Sequence, residues 1–156
     1  MTSTYMNLTS VTEQVNMIKD RKSLLSWYTG DEPDGTSDPF NATKVAYDLI
    51  NQLDGYHPVS LVLNCQNYQF ATYANGADIV MQDTYPISNN VTFSVEWDTP
   101  CTVDFGDCGC DNCNGDFEDI SNRMDEFAQR LEILGQSRTK TVWAVPQAFG
   151  GSEFVN

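Results

Sequence analysis

Apolar strands and amphipathic helices alternate along this chain, and that alternation limits the folds open to it. Apolar residues recur at helical spacing over 11–18 and again from Ile120 to Leu134, while the run VSLVLNC at 59–65 is typical of a strand covered on both faces. The resulting order, α-β-α-β-α-β-α-β, predicts an α/β fold with a parallel sheet and right-handed crossovers.

The sequence also predicts where these elements begin and end. Ser10 and Glu13 fit a capping box at the start of the first helix. Asp38 followed by Pro39 fits the N-cap and first turn of the second helix, and Gly55 fits the position just after it. We expect strands at 24–29, 59–65, 78–87 and 141–149, a short helix at 68–75, and a last helix that ends at Gly135.

Two sheet architectures fit this alternation. A doubly wound nucleotide-binding sheet has a glycine-rich first turn, and no strand-to-helix turn here contains G-x-G-x-x-G or a P-loop. A (β/α)8 barrel has about 250 residues, so four βα units in this chain make about half of one. We therefore predict a single domain over 1–156, a partial TIM barrel with parallel strands and a long cysteine-rich loop at 87–117, belonging to a longer protein.

The charge balance argues against several classes of partner. The chain has 22 acidic residues against 8 Lys and Arg, a net charge of −14, which repels phosphate backbones and anionic lipid headgroups. We therefore expect no nucleic-acid and no membrane partner. No apolar run approaches the roughly 20 residues of a membrane span. The first residues, MTSTYMNLTS, also lack the basic and apolar regions of a signal peptide.

Clustered cysteines and glycosylation sequons favour a secreted, extracellular glycoprotein. Four of the five cysteines lie in CTVDFGDCGCDNC without the paired C-x-x-C spacing of zinc sites, so two disulfides in one of three pairings are expected. Cys65 is expected to be buried. The acids of this loop lack EF-hand spacing, and we predict no metal and no cofactor. The disulfide candidates are Cys101, Cys108, Cys110 and Cys113, and the glycosylation candidates are Asn7, Asn41 and Asn90.

Polar residues follow the predicted strands at the edge where parallel sheets carry ligand chemistry. Asp31 and Glu32 end the first strand, and Asp83 ends the third, so we expect these acids to meet. Because Asp31 and Glu32 are adjacent, a regular strand would point them to opposite faces, with one facing the site. The other polar residues at these strand ends are Asn64, Tyr85 and Gln147.

Three segments carry a resemblance to a known family. WYTGDEPDG, DIVMQDTYPI and VWAVPQAFGG resemble the (β/α)8 glycoside-hydrolase superfamily, and within it uncharacterised secreted fungal barrel proteins with a Trp-Tyr-x-x-Asp-Glu-Pro strand. The similarity runs from about Tyr5 to Phe154. It implies a carbohydrate substrate and the hydrolysis of O-glycosidic bonds in a glucan-type or other cell-wall polysaccharide.

The resemblance assigns roles to individual residues. In the large retaining clan of this fold, the general acid/base is a Glu preceded by Asn and followed by Pro, which Glu32 and Pro33 match. Asp31 replaces the Asn that binds the sugar 2-hydroxyl, and a carboxylate accepts but does not donate that bond. Gln147 stands near the place of the clan's nucleophilic Glu, and an amide cannot form the glycosyl ester. The stereochemical outcome therefore stays open.

Glycoside cleavage needs one carboxylic acid and one carboxylate. We expect Glu32 to be the proton donor, because desolvation beside Trp27 and Tyr28 would raise its pKa. Asp83 is the expected second carboxylate, with Asp31 as the third catalytic candidate. The candidates for substrate binding are Tyr85, Gln147, Asn64 and Trp97, the last by stacking on a sugar face.

Plainer interpretations stand beside these roles. Asp-Glu-Pro after a strand also fits a turn and helix cap, and Tyr85-Pro86 also fits a simple strand end. Trp27 and Trp143 lie in apolar runs and are expected in the core. The single histidine, His57, precedes a strand and so lies away from the predicted site, which argues against Ser-His-Asp chemistry.

Two rival functions remain open. One is a non-catalytic carbohydrate-binding barrel, which Gln147 at the nucleophile-like position favours. The other is a fragment that is inactive without the rest of the barrel and that associates with itself through two open sheet edges. The sequence leaves open the sugar, the linkage and the disulfide pairing.

Overall fold

The computed structural model describes residues 4–36, 38–86, 93–94, 98–100 and 116–148. Within these ranges the chain has an α/β fold. The helices are α1 Leu8–Ile18, α2 Ala42–Leu53, α3 Phe70–Tyr73 and α4 Glu118–Ile133, with 3₁₀ turns at Thr4–Met6 and Ala74–Gly76. The strands are β1 Trp27–Asp31, β2 Val59–Leu63, β3 Ile79–Gln82, β4 Phe93–Ser94, β5 Thr99–Pro100 and β6 Thr141–Ala144.

The main sheet has the order β1-β2-β3-β6, and every neighbouring pair is parallel. The predicted α/β fold with parallel strands is therefore confirmed, while β4 and β5 form a separate antiparallel pair. Leu61 pairs with Val80 and Val80 with Val142, so the register continues across three strands. Because the strands are parallel, their carboxyl ends share one edge of the sheet.

The helices pack against one face of this sheet. Val59, Leu61 and Leu63 alternate along β2, so their side chains share a face. Val59 lies in a buried cluster with residues of α1 and α2, and Leu61 and Leu63 lie in a second cluster with residues of α3 and α4. The two clusters are Val11, Val15, Trp27, Ile50 and Val59, and Leu61, Leu63, Phe70, Tyr73, Ala74, Ala77, Val80, Phe127 and Leu131.

Helix α1 begins one turn before the predicted capping box. Oδ1 of Asn7 accepts a hydrogen bond from the backbone N–H of Ser10 at 3.2 Å, so Asn7 is the N-cap. The capping box of Ser10 and Glu13 is therefore wrong. Asparagine is among the strongest N-cap residues, and here it outcompetes a serine that lies within the helix.

Helix α2 begins at Ala42, so the predicted N-cap at Asp38 is also wrong. Asp38 is buried, and its Oδ2 accepts a hydrogen bond from Tyr5 Oη at 2.6 Å. Its backbone oxygen accepts another from Tyr73 Oη at 2.5 Å. These bonds join the segment before α2 to the N-terminal turn and to α3, and tertiary contacts thereby override the local capping pattern.

Strand β1 begins later than predicted. The N–H of Trp27 donates to the oxygen of Pro58 at 2.9 Å and starts the pairing with β2, while Leu25 is 70% exposed. The first residues of the predicted strand 24–29 thus precede the sheet. The strand also ends later than predicted, at Asp31 rather than at residue 29.

The remaining predictions about helix ends and the core have mixed outcomes. Gly55 and Gly135 have φ angles of 67° and 69°, which confirms both as left-handed residues at helix ends. Trp27 and Cys65 are buried, as expected. Trp143 is 43% exposed, so its predicted place in the core is wrong, because β6 lies at the edge of the sheet.

Candidate functional site

The carboxyl edge of the sheet brings two of the predicted catalytic residues into contact. Glu32 follows β1 and Asp83 follows β3, with β2 between them. Hydrogen bonding to Glu32 and the charge of Glu32 both raise the pKa of Asp83, so the two carboxyl groups lie close together. Two carboxylates in contact repel each other, which favours a pair that keeps one proton.

Asp83 is the buried member of the pair. It is 2% exposed, and its Oδ1 receives no N–H or O–H donor from the part of the chain that the structure describes. Burial, followed by the hydrogen bond and the charge of Glu32, raises the pKa of Asp83 well above its usual value. The pair therefore retains a proton at pH values where an isolated carboxyl group has lost it.

Exposure separates the roles open to these acids. Asp31 is exposed, Glu32 is half-buried and Asp83 is buried. A ligand at this edge can therefore meet the carboxyl groups of Asp31 and Glu32, while Asp83 is covered and contacts Glu32.

A β-bulge in β1 brings Asp31 to the same face as Tyr28. Tyr28 pairs with Ser60 and Asp31 with Val62, so β1 has an extra residue between the two pairs. Since Ser60 and Val62 share a face, so do their partners, and Tyr28 Oη donates to Asp31 Oδ1 at 2.5 Å. The expectation that Asp31 and Glu32 point to opposite faces assumed a regular strand, and the bulge changes the face of Asp31 relative to that assumption.

The backbone at Glu32 is in the left-handed region, with a φ of 48°. This conformation is uncommon for a residue with a side chain and costs on the order of 1–3 kcal/mol. It is followed by a turn in which the N–H of Thr36 donates to the oxygen of Glu32 at 3.0 Å. Gly30 permits the turn, because a Cβ there would lie 3.3 Å from Cγ of Pro33. Glu32 therefore follows the end of the strand and begins the turn at the sheet edge.

Asp34 anchors this turn to the end of β2. It is 1% exposed, and its two carboxylate oxygens accept from the N–H groups of Asn64 at 3.1 Å and Cys65 at 2.8 Å. Burial raises the pKa of Asp34 to about 6, although these backbone bonds oppose the shift. Sequence reasoning missed Asp34. The available signal was a third acid in the same turn, beside a strand end that offers backbone donors.

Arg123 holds the same strand end from the other side. It is 4% exposed on α4, and its Nη1 donates to the backbone oxygen of Asn64 at 2.7 Å. Sequence reasoning also missed this residue. Its signal was its position four residues before Phe127, on the buried stripe of the helix.

The two tyrosines at this edge lie close to the acids. Tyr85 is half-buried, and its Oη donates to Asp83 Oδ2 at 3.2 Å, while Tyr28 is 54% exposed. Burial raises both pKa values, and the charges of Asp31, Glu32 and Asp83 raise them further. The three acids therefore form one electrostatic group with Tyr28 and Tyr85, which we call the acid cluster.

Of the other predicted substrate-binding residues, Asn64 and Gln147 lie at or near strand ends. Asn64 lies between the ends of β1 and β3, but it is 2% exposed, and its Oδ1 receives no donor from the described residues. Gln147 is half-buried and follows Val145, whose N–H donates to Gln82 at the end of β3 at 2.8 Å. Trp97, Asn90, Cys101, Cys108, Cys110 and Cys113 lie outside the described residues.

Among the described residues, no group of three or more His, Cys, Asp or Glu side chains is arranged to hold a metal ion. A groove of about 510 Å³ lies elsewhere, between α3 and α4, where Phe70, Arg130 and Ile133 contribute to its walls. Glu126 is the one acid among its described lining residues, and Asp31, Glu32 and Asp83 do not line it. We therefore assign the candidate site to the acid cluster, which contains the buried carboxyl group of Asp83 with its raised pKa.

No family model, curated protein or solved structure matches this chain. The resemblance to glycoside hydrolases therefore stays a prediction. Within the described ranges, no helix combines the length and the apolar character needed to cross a membrane.

Proposed function

We propose that this chain carries the acid–base end of a site that hydrolyses O-glycosidic bonds in a polysaccharide. The observation that supports it is the hydrogen-bonded pair of Glu32 and Asp83 at the carboxyl edge of a parallel sheet. Glu32 is the member of the pair that a ligand can reach, so it transfers to the leaving oxygen the proton that the pair retains. Asp83 is its buried proton partner.

Asp83 does not act as nucleophile in this proposal. Retaining enzymes separate their two carboxyl groups by about 5 Å and inverting ones by about 6.5–9.5 Å. A hydrogen bond brings oxygens to within roughly 3 Å, which leaves no room for a sugar carbon or a water between them. Asp83 instead tunes the protonation of Glu32, as paired carboxylates do when they share a proton.

We further propose that the sheet is part of a (β/α)8 barrel. The strand order β1-β2-β3-β6 follows the chain, and the helices pack on a single face. Doubly wound sheets reverse their strand order and carry helices on both faces, whereas barrels keep one winding direction. A secreted, glycosylated protein also remains a proposal, and the exposure of Asn7 and Asn41 favours it.

A second candidate is carbohydrate binding without cleavage. It is favoured by Tyr28, which is 54% exposed beside Asp31 and offers a ring and hydrogen-bonding groups to a sugar. A third is that the edges of the sheet at β1 and β6, which pair with no further described strand, leave this chain inactive until other strands cover them, or drive its self-association.

Release of reducing sugar from a panel of polysaccharides tests the proposal. Glu32→Gln should lower the rate by about 10²–10⁴-fold, because general acid catalysis contributes about that much. Glu13→Gln, an exposed change on α1, is the matched control and should leave the rate unchanged. Sugar binding without turnover would favour the second candidate, and turnover that survives Glu32→Gln would refute the role of Glu32.

A further inference from the structure

Asp34 is a buried carboxyl group that has no part in the proton transfer proposed above. Its Oδ1 accepts from the N–H groups of Gly35 at 3.0 Å and Asn64 at 3.1 Å, and its Oδ2 accepts from the N–H of Cys65 at 2.8 Å. An ionised carboxylate can accept all three bonds. Protonation places a hydrogen on one oxygen, where it faces a backbone N–H instead of an acceptor. The hydrogen-bonding geometry around Asp34 therefore fits the ionised form.

Keeping Asp34 ionised at this place is unfavourable for the fold. Burial raises its pKa to about 6, from the usual value of about 4, although the backbone hydrogen bonds oppose the shift. A raised pKa means that the folded state binds the proton more tightly than the unfolded state, so ionised Asp34 lowers stability at neutral pH. Carboxyl groups perturbed in this way concentrate at functional sites. We therefore look for a role of ionised Asp34 other than stability.

The turn that contains Asp34 also carries Glu32. Pro33 alone separates the two residues, and its ring fixes its own φ angle. The N–H of Thr36 donates to the oxygen of Glu32 at 3.0 Å, and the N–H of Asp38 donates to the oxygen of Pro33 at 2.8 Å. The left-handed backbone of Glu32, with a φ of 48°, persists only where the surrounding structure holds it. The attachment of Asp34 supplies such a hold two residues away.

The strand end to which Asp34 binds is itself fixed. The backbone oxygen of Asn64 accepts from Nη1 of Arg123 at 2.7 Å, so an anion binds its N–H and a cation binds its oxygen. The charged and titratable groups near Asp34 on other elements are Cys65 after β2, Tyr73 of α3, Asp83 after β3 and Arg123 of α4. Because β2 lies between β1 and β3, attachment to its end fixes Glu32 relative to Asp83.

Given the hydrolase function proposed above, we infer that Asp34 is a positioning residue, whose ionised carboxylate holds Glu32 beside Asp83 and whose protonation releases the turn. Asp34 touches neither the substrate nor the reacting atoms and acts through the backbone of residues 64 and 65. The site is therefore assembled above about pH 6 and loosens below it. Since the same protonation favours the folded state, stability and activity respond to Asp34 in opposite directions as the pH falls.

Hydrogen exchange followed by NMR tests the control of the turn without any substrate. The probes are the amides of Asn64 and Cys65, which bind Asp34, and the amide of Thr36, which closes the turn. In the wild type, their protection relative to the unfolded chain should fall by about tenfold between pH 7 and pH 5, as expected for the loss of about one hydrogen bond. In Asp34→Asn it should be low at both pH values.

Kinetics on the polysaccharide that the wild type hydrolyses test the catalytic consequence. At pH 8, Asp34→Asn should lower kcat by about 10- to 100-fold and change KM by less than about twofold, because a small displacement of the proton donor slows the chemical step more than binding. The ratio of wild-type to variant kcat should shrink several-fold at pH 5, where the wild type is also protonated at Asp34.

Asp34→Glu separates position from charge. It keeps the negative charge, which raises the pKa of Asp83, but moves the carboxylate by one methylene group. A positioning role predicts that this variant also loses kcat. If Asp34 acted only through its charge on Asp83, Asp34→Glu would keep the wild-type kcat, and the inference would be overturned.

Asp78→Asn is the matched control, since Asp78 accepts from the N–H of Val59 at 2.9 Å, at the other end of β2. It should lower the melting temperature but leave kcat, its pH dependence and the protection of Thr36 unchanged. If the Asp34 variants do not fold, the exchange of the same amides in the wild type between pH 7 and pH 5 still decides whether Asp34 controls the turn.

The outcomes separate this inference from the hydrolase function. Unchanged protection of Thr36 in Asp34→Asn, or equal kcat ratios at pH 5 and pH 8, would overturn the inference and leave the hydrolase function standing. No hydrolysis by the wild type, together with protection of Thr36 that depends on pH and on Asp34, would overturn the hydrolase function and support the control of the turn by Asp34.

Discussion

The pKa of a carboxyl group is lowered at one end of the sheet and raised at the other. At the amino edge, Asp54 accepts from Trp27 Nε1 at 2.6 Å and from His57 Nδ1 at 2.8 Å, and Asp78 accepts from the N–H of Val59 at 2.9 Å. Desolvation opposes ionisation of Asp54, but these bonds outweigh it and lower its pKa. At the carboxyl edge, Asp83 faces another carboxyl group, and its pKa is raised.

This difference separates stability from chemistry. An acid that meets donors at the start of a strand stabilises the fold as an anion. A buried acid that meets another acid destabilises the folded anion and retains a proton, which is the condition that acid–base catalysis requires. The amino edge therefore stabilises the sheet, and the carboxyl edge holds the acid pair on which the proposed function depends.

The largest effect on stability is expected at the amino edge. Asp54→Ala should lower the free energy of unfolding by about 2–3 kcal/mol, because it removes the acceptor of the indole N–H of Trp27 and of the ring nitrogen of His57. Urea unfolding followed by far-UV circular dichroism measures the change. Asp48→Asn, at an exposed ion pair, should shift stability by less than about 0.5 kcal/mol. If Asp54→Ala also lowered the free energy of unfolding by less than about 0.5 kcal/mol, the two edges would not differ as described.

An opposite and smaller effect is expected for Asp83→Asn. The raised pKa means that the folded state binds a proton that the unfolded state has released, so stability falls as pH rises above the unfolded value of about 4. The amide cannot ionise and can donate to Glu32, so the variant should be about 1–2 kcal/mol more stable at pH 8. Its advantage should vanish near pH 4.

Denaturant midpoints of the wild type and Asp83→Asn at pH 4, 6 and 8 measure this effect. Asp34, whose pKa is raised to about 6, adds a similar slope below pH 6 in both proteins, so the comparison isolates Asp83. A variant that is less stable than the wild type at every pH would mean that Asp83 is a structural acid like Asp54.

The smallest effect on stability is expected for Tyr28→Phe. Its bond to Asp31 is exposed, so its loss should cost no more than about 1 kcal/mol. Glycosidase activity should fall further than stability, because Asp31 loses the group that orients it. The melting temperature measures the effect on stability, and kcat/KM at a temperature where both proteins are folded measures the effect on activity. A lower melting temperature with unchanged kcat/KM would show that Tyr28 supports the fold alone.

The sequence was sufficient to predict the helices and the four strands of the main sheet in their parallel order, and it pointed to Glu32 and Asp83 at one edge. Periodicity is a local property, and parallel strands gather their carboxyl ends wherever they occur. The bulge between Tyr28 and Asp31 was not predictable, since it depends on the register with β2. The positive φ of Glu32 likewise needs the surrounding turn to hold it.

The residues whose roles the sequence did not reveal, or revealed wrongly, share one physical cause. Asp34 and Arg123 matter because they bond to backbone atoms of Asn64, which is 30 and 59 residues away along the chain. Asp38 looked like a helix cap and instead binds Tyr5. In each case a long-range hydrogen bond decided the role, and no local pattern in one sequence encodes such a bond.

The attachment of Asp34 to β2 has a consequence for engineering. At the end of β2 it accepts from the main-chain N–H groups of residues 64 and 65, so substitutions there that conserve side-chain volume should leave the turn that carries Glu32 in place. A combinatorial library at residues 64 and 65 would therefore alter the floor between the two acids while their scaffold stays in register. Because both positions are buried, the variants expected to fold are those that conserve side-chain volume, and new ligand preferences can be sought among them.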